Sequence, residues 1–151
     1  QRQMCIRDSF FISNSSVSSL KIKDIYEKII EGHIPKDETI SIKKRDFVIR
    51  KLANRVAWFQ FEQLCGGHIG AEDYIEMIKY TDQIIIENVP IFNNANANMQ
   101  ERFINLIDVL YDNKIQIIIS SVKEIEKLGS AFYLKDKFQR TVSRLIEMRS
   151  N

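Results

Sequence analysis

Apolar residues recur along this chain in two periods, and the switches between them mark out its elements. Leu20, Ile22, Ile25, Ile29 and Ile30 fall at helical spacing, with Lys21, Lys23, Asp24, Glu27 and Lys28 between them, which predicts an amphipathic helix. Gly32 follows where a left-handed cap would sit, and Pro35 closes the segment. From Thr39 the period falls to two. Ile40 and Ile42, then Phe47, Val48, Ile49 and Leu52, flank the charged stretch 43–46 and predict a β-hairpin within a region of about 38–61. Its basic tip reads as a solvated turn, with contact to an anion as the alternative. Residues 56–61 are apolar on both sides, which predicts a strand covered on both faces.

In the middle of the chain Gly66, Gly67 and Gly70 surround His68 and lead into a helix of about 71–80. Its pattern turns Tyr74, Ile75 and Ile78 inward and Glu72, Asp73 and Glu76 outward, with acidic residues suited to the positive helix end. Residues 84–86, all Ile, read as a buried strand ending at Glu87; an Asn-rich loop spans 93–98. A helix of about 99–112 carries Met99, Phe103, Leu106, Ile107 and Leu110 on one stripe, and a second buried strand, 115–119, ends at Ser120 and Ser121. Strand, helix and strand over about 83–120 make the βαβ unit of a parallel sheet. Ser121 and Glu124 have capping-box spacing and predict a short helix stopping near Gly129. A last helix of about 136–148 buries Phe138, Val142, Leu145 and Met148 and shows Arg140, Arg144 and Glu147 on its opposite face. The fold class expected is α/β, a mixed or parallel sheet with flanking helices and a β-hairpin region.

Composition narrows the choice of function. Of 151 residues, 44% are hydrophobic and 28% charged, which suits one domain. Twenty-two basic against 20 acidic residues leave a net charge of +2, too even for affinity built on phosphate neutralisation, so no nucleic-acid partner is expected. No apolar run reaches the roughly 18–20 residues that span a bilayer, and a cytoplasmic compartment is the default, mitochondrial if the source is eukaryotic. Cys5 and Cys65 are far apart, and Cys65 with His68 is the only pair at a useful metal spacing, so a core thiol and a surface imidazole are expected. Residues 1–9 show neither period nor capping logic and read as a scar or truncation artefact, with residues 10–151 as the structural part.

The candidate chemistry is sparse. A phosphate-cradling loop needs glycines followed by Lys and Ser or Thr, and no glycine here is followed by Lys. The Gly66–Gly70 cluster reads as a tight turn. Glu87 at one strand end and Ser120 at the next are placed like the acid and the polar sensor of a nucleotide hydrolase, with plain sheet architecture as the alternative. Glu87, Asp108 and Asp112 form a weaker candidate for a metal-dependent nuclease. No Gly-x-Ser-x-Gly elbow occurs, and Cys65 with His68 lacks the electropositive setting of a nucleophile pair. Arg102, Arg140 and Arg144 could each stabilise phosphoryl-transfer charge; the plainer alternative is a surface arginine paired with Glu101 or Glu147.

Five ordered blocks carry a resemblance: Phe61-Glu62-Gln63-Leu64-Cys65; Gly70-Ala71-Glu72-Asp73-Tyr74; Ile86-Glu87-Asn88-Val89-Pro90; Arg102 to Asp108 with Leu110-Tyr111-Asp112; and Arg140 to Met148. The series resembles the C-terminal portion of the ZapE-like AAA+ ATPases, bacterial cell-division proteins with mitochondrial, lactation-elevated relatives. The resemblance implies a P-loop ATPase using ATP and Mg²⁺, with its phosphate loop and catalytic acid upstream of these residues. This chain alone would then be inactive, its partners being the missing N-terminal half, further copies in a homo-oligomer, and a tubulin-like division-ring protein. Arg102, Arg140 and Arg144 match arginines of the family's blocks and become nucleotide-sensing or inter-subunit candidates, with Glu87 a weaker acidic one. Arg149 departs from the Gln expected at its position. Two readings compete with this one, a protein-interaction module that docks to a division or membrane-associated partner and a small metal-dependent hydrolase using Glu87.

Overall fold

The computed structural model describes residues 11–13 and 15–150, with side chains described for 20–148. The reading of residues 1–9 lies outside the described residues.

Four strands run parallel: β1 (Phe11–Ser13), β4 (Val56–Gln60), β5 (Gln83–Val89) and β6 (Gln116–Ser121), in the order β1-β6-β5-β4. Between the first two lie α1 (Ser15–Ile29) and the antiparallel pair β2 (Lys36–Ile42) and β3 (Arg45–Leu52). The rest of the chain adds α2 (Phe61–Cys65), α3 (Ala71–Met77), α4 (Ala97–Asp112) and α5 (Lys135–Ser150). This is the expected α/β class. Pleating sends successive side chains to opposite faces, and the sheet separates two cores accordingly. Val56, Ile85 and Ile118 meet Ile22, Tyr26, Ile29 and Ile30 on the α1 side. Ala57, Phe59, Ile84, Ile86, Ile117 and Ile119 face the other helices and the hairpin. The continuous Ile runs of β5 and β6 are apolar because both faces are covered. On that second side Phe61, Phe92, Phe103 and Phe138 form an aromatic knot, with Phe92 and Phe138 edge-on at 5.3 Å.

Several elements differ from the sequence reading in physically instructive ways. Helix α1 begins at Ser15, and Leu20 is 68% exposed because it lies about 200° around the helix from Ile22. Only Lys43 and Lys44 form the hairpin turn, both at positive φ (48° and 67°), the primed geometry that matches strand twist; Arg45 and Asp46 already belong to β3. Nor is the tip merely solvated. Lys43 pairs with Glu72, and Arg45 Nη1 donates to Asp73 Oδ1 at 2.7 Å. Asp73 is therefore buried and Ile75 half-exposed, the reverse of the periodic reading. Ser121 Oγ donates to the carbonyl of Lys123 and caps nothing, so the segment expected as a short helix is a single 3-10 turn, Ile125–Lys127. Gly129 ends it at φ +77°, where an added Cβ would stand 2.9 Å from the Phe92 carbonyl oxygen.

Candidate functional site

Parallel α/β sheets bind ligands outside the carboxyl ends of their strands, and here that edge is polar. Gln60 and Glu87 are register partners at the ends of β4 and β5. Glu87, two residues beyond Ile85, shares its face and so points to the α1 side, where it is 3% exposed. Its Oε1 accepts from Trp58 Nε1 and from Gln60 Nε2, both at 2.8 Å. At the next residue the ladder slips: Asn88 takes φ 66°, its N–H donates to Ser120 Oγ at 3.0 Å, and its Nδ2 donates to Gln60 Oε1 at 2.6 Å. One carboxylate thus ties two strand ends through an indole and an amide. Sequence reasoning found Glu87 and Ser120 but missed Trp58, Gln60 and Asn88. The available signal was Trp58, since an indole N–H in a covered strand requires an acceptor.

This edge and the glycine turn do not fit Mg²⁺ and a nucleotide. Glu87 already bridges Trp58 and Gln60. The glycine turn opens onto a seven-residue helix whose first turn holds Glu72 and Asp73, and the Gly70 N–H donates to Asp73 Oδ2 at 2.8 Å. Carboxylates occupy the place a phosphate would take, and they repel it. Among the described residues no three His, Cys, Asp or Glu side chains gather as a metal would require. Asp108 turns to Arg144, Asp112 is exposed, and Glu87 points to the α1 side of the sheet while α4 packs on the opposite side, so the nuclease triad is not assembled. Cys65 is buried, and burial pushes its thiol up to about 12, which keeps it protonated near neutrality. His68 is exposed.

The three arginines have different surroundings. Arg102 on α4 is half-buried and donates from Nη1 to the carbonyl of Cys65 at 3.2 Å, at the end of α2. Arg144 on α5 pairs with Asp108, its guanidinium 5.1 Å from the Tyr111 ring centroid. Tyr111 in turn donates to both oxygens of Glu147 at 2.9 Å, and that hydrogen bond pushes its hydroxyl pKa up. Arg144 and Glu147 therefore join the α4–α5 seam, and the arginine's partner is Asp108 in place of Glu101 or Glu147. The Arg140 side chain is exposed and has no ion pair or hydrogen bond among the described residues.

A parallel sheet between helical layers, polar at its carboxyl edge, defines an α/β module. The chain belongs to the AFG1-like ATPase family, whose model matches residues 2–151 and which is of the AAA+ P-loop class. It is 23% identical over 121 residues to lactation elevated protein 1 homolog B of Danio rerio, covering 79% of this chain and 24% of the relative. Over 112 residues it is 27% identical to cell division protein ZapE of Escherichia coli K12, covering 74% of this chain and 30% of the relative. An uncharacterized protein of Schizosaccharomyces pombe is 31% identical over 91 residues, 60% of this chain and 20% of that one. The chain spans less than a third of the length of each of these relatives. No solved structure matches it. The resemblance read from the five sequence blocks thus holds, and no helix among the described residues is long and apolar enough to cross a membrane.

Proposed function

We propose that these residues buttress the ATP-hydrolysing core of an AFG1-like machine whose phosphate-gripping loop and catalytic acid belong to other parts of the polypeptide. The observation that carries this is the glycine turn: in a chain whose residues 2–151 match the family model, the Gly70 N–H is committed to Asp73 Oδ2, and the Asp73 and Tyr74 N–H groups to the Gly70 carbonyl. ATP and Mg²⁺ would be held elsewhere, and the chain alone would not turn ATP over. Cell division, the role in the name of ZapE, is the process to which the parent would contribute. Its partners would be the rest of the ATPase, further copies in a ring, and a tubulin-like division-ring polymer, in the cytoplasm or its organellar equivalent.

Of the three arginines, Arg140 is the one with a free guanidinium, so it is the strongest candidate for a phosphate in its own or a neighbouring subunit; Arg102 and Arg144 would act by fixing α2 and α5. Measuring ATP turnover and thermal unfolding of a longer AFG1-like protein carrying this segment separates these roles. Arg140→Ala should lower kcat, on the order of 10³-fold if the contact resembles an arginine finger, at unchanged Tm. Arg102→Ala and Arg144→Ala should lower Tm. Normal turnover in a folded Arg140→Ala protein rejects its role. Phosphate release from ATP by the purified 151-residue chain rejects the supporting role itself.

A further inference from the structure

At the carboxyl edge of the sheet, Glu87 and Asn88 stand opposite the single residue Ser120, because pairing passes from Ile86 with Ile119 to Val89 with Ser121. That is a β-bulge. Neighbours in a regular strand point to opposite faces; here Asn88, at φ 66°, comes round so that it and Glu87 both reach Gln60. Trp58 fixes the inner end of this chain of contacts. Its ring is held by Tyr26, centroids 5.0 Å apart, and by Lys51, whose Nζ lies 4.1 Å from the ring centroid. Its indole N–H, a donor only, meets Glu87 Oε1 at 2.8 Å. Glu87, as a carboxylate, only accepts. Gln60 therefore turns Nε2 to it, at 2.8 Å, and Gln60 Oε1 is left to receive Asn88 Nδ2 at 2.6 Å. Reversing the Gln60 amide would set oxygen against oxygen at one end and N–H against N–H at the other. What remains is Asn88 Oδ1, on an exposed residue and without a hydrogen-bond partner among the described residues.

We propose that Glu87 is a positioning residue whose carboxylate sets the direction of both edge amides, so that Asn88 turns its carbonyl oxygen outward and the carboxyl edge takes hydrogen-bond donors in place of phosphate. The carboxylate stands behind an outward-facing carbonyl oxygen. Both repel an anion, and both favour water, an amide N–H or a cationic side chain at that point. The bulge is what makes the arrangement possible, since without it Asn88 would point to the face opposite Gln60. The inference concerns the orientation of this chain's own side chains and does not rest on the ATPase reading.

The test is nuclear magnetic resonance of the side-chain amide and indole N–H groups in the nitrogen-15-labelled 151-residue protein. Gln60→Met removes the middle link on an exposed residue. The Asn88 amide protons should then move upfield and exchange with water on the order of fivefold faster, the worth of one ordinary hydrogen bond. The Trp58 indole proton, bonded directly to Glu87, should keep its position. Glu87→Met should move the Trp58, Gln60 and Asn88 signals together, and Glu87→Gln, which still offers an oxygen, should return them towards those of the parent. Added inorganic phosphate should leave the Asn88 signals in place. Asn88 protons unmoved in Gln60→Met, Gln60 and Asn88 protons unmoved in a folded Glu87→Met protein, or a saturable shift of Asn88 on adding phosphate overturns the proposal. Should Glu87→Met fail to fold, Gln60→Met and the phosphate titration still decide.

Discussion

Cys65 shows what a single buried group does to the whole fold. Its thiol lies among Leu64, Tyr74 and the core, and burial pushes it up to about 12 from an ordinary value of 9.0. The folded value is raised, so this contribution to stability is complete below pH 9 and is lost as the pH climbs towards 12, where the unfolded chain sheds a proton the folded one keeps. The slope for one proton is about 1.4 kcal/mol per pH unit. Tyr26, pushed by burial from 10.0 to about 12, adds to the loss only at higher pH. Urea unfolding at about pH 8, 9 and 10 should therefore show stability falling on the alkaline side, and Cys65→Ala should flatten the part of that fall near pH 9. Equal slopes in the two proteins would remove Cys65 from the account. The same burial decides its chemistry: the sequence reading as a core thiol was available because nothing electropositive accompanies Cys65 along the chain.

Between elements, the contact most informative about this fold joins the hairpin to α3. Asp73 is 1% exposed and receives Arg45 Nη1 at 2.7 Å and the Gly70 N–H at 2.8 Å. One residue earlier, Glu72 pairs with Lys43, but the two side chains are 59% and 74% exposed. Solvent screens the second pair and leaves the first strong. Asp73→Ala should cost about 2 kcal/mol, the loss of a charged hydrogen bond together with a helix-start cap, and Glu72→Ala less than about 1 kcal/mol. Denaturant midpoints measure both, and equal losses would mean that the clamp does not discriminate by burial. Periodicity places Glu72, Asp73 and Glu76 alike on an outer face because a seven-residue helix gives too few turns to fix the direction of its stripe. What turns Asp73 inward is Arg45, 28 residues away and on another element. The longer α4 was read correctly because Phe103, Leu106, Ile107 and Leu110 repeat over several turns.

At the scale of the whole molecule, the parallel βαβ unit was legible because β5 and β6 are Ile runs covered on both faces. The placement of β1 beside β6, and the partners of Arg102 and Arg144, depend on residues brought together across 36 or more positions, which no local pattern encodes. The hairpin is the sharpest case. In sequence it reads as a β-hairpin with a solvated basic tip, and nothing local shows that Ile40, Ile42, Phe47 and Ile49 belong to the same core as Phe59, Ile84 and Phe103. Each buried side chain of this size contributes about 1.5–3 kcal/mol, so the four together approach the whole margin of 5–15 kcal/mol typical of a domain. Replacing residues 36–52 by a short flexible link should therefore abolish cooperative unfolding of the sheet rather than trim an arm. Near-ultraviolet circular dichroism, which reports on Trp58, should lose its fixed signal, and the urea transition should broaden. A sharp two-state transition retained without the hairpin would show that the core closes over β4 by itself and that β2 and β3 were added to a module already complete.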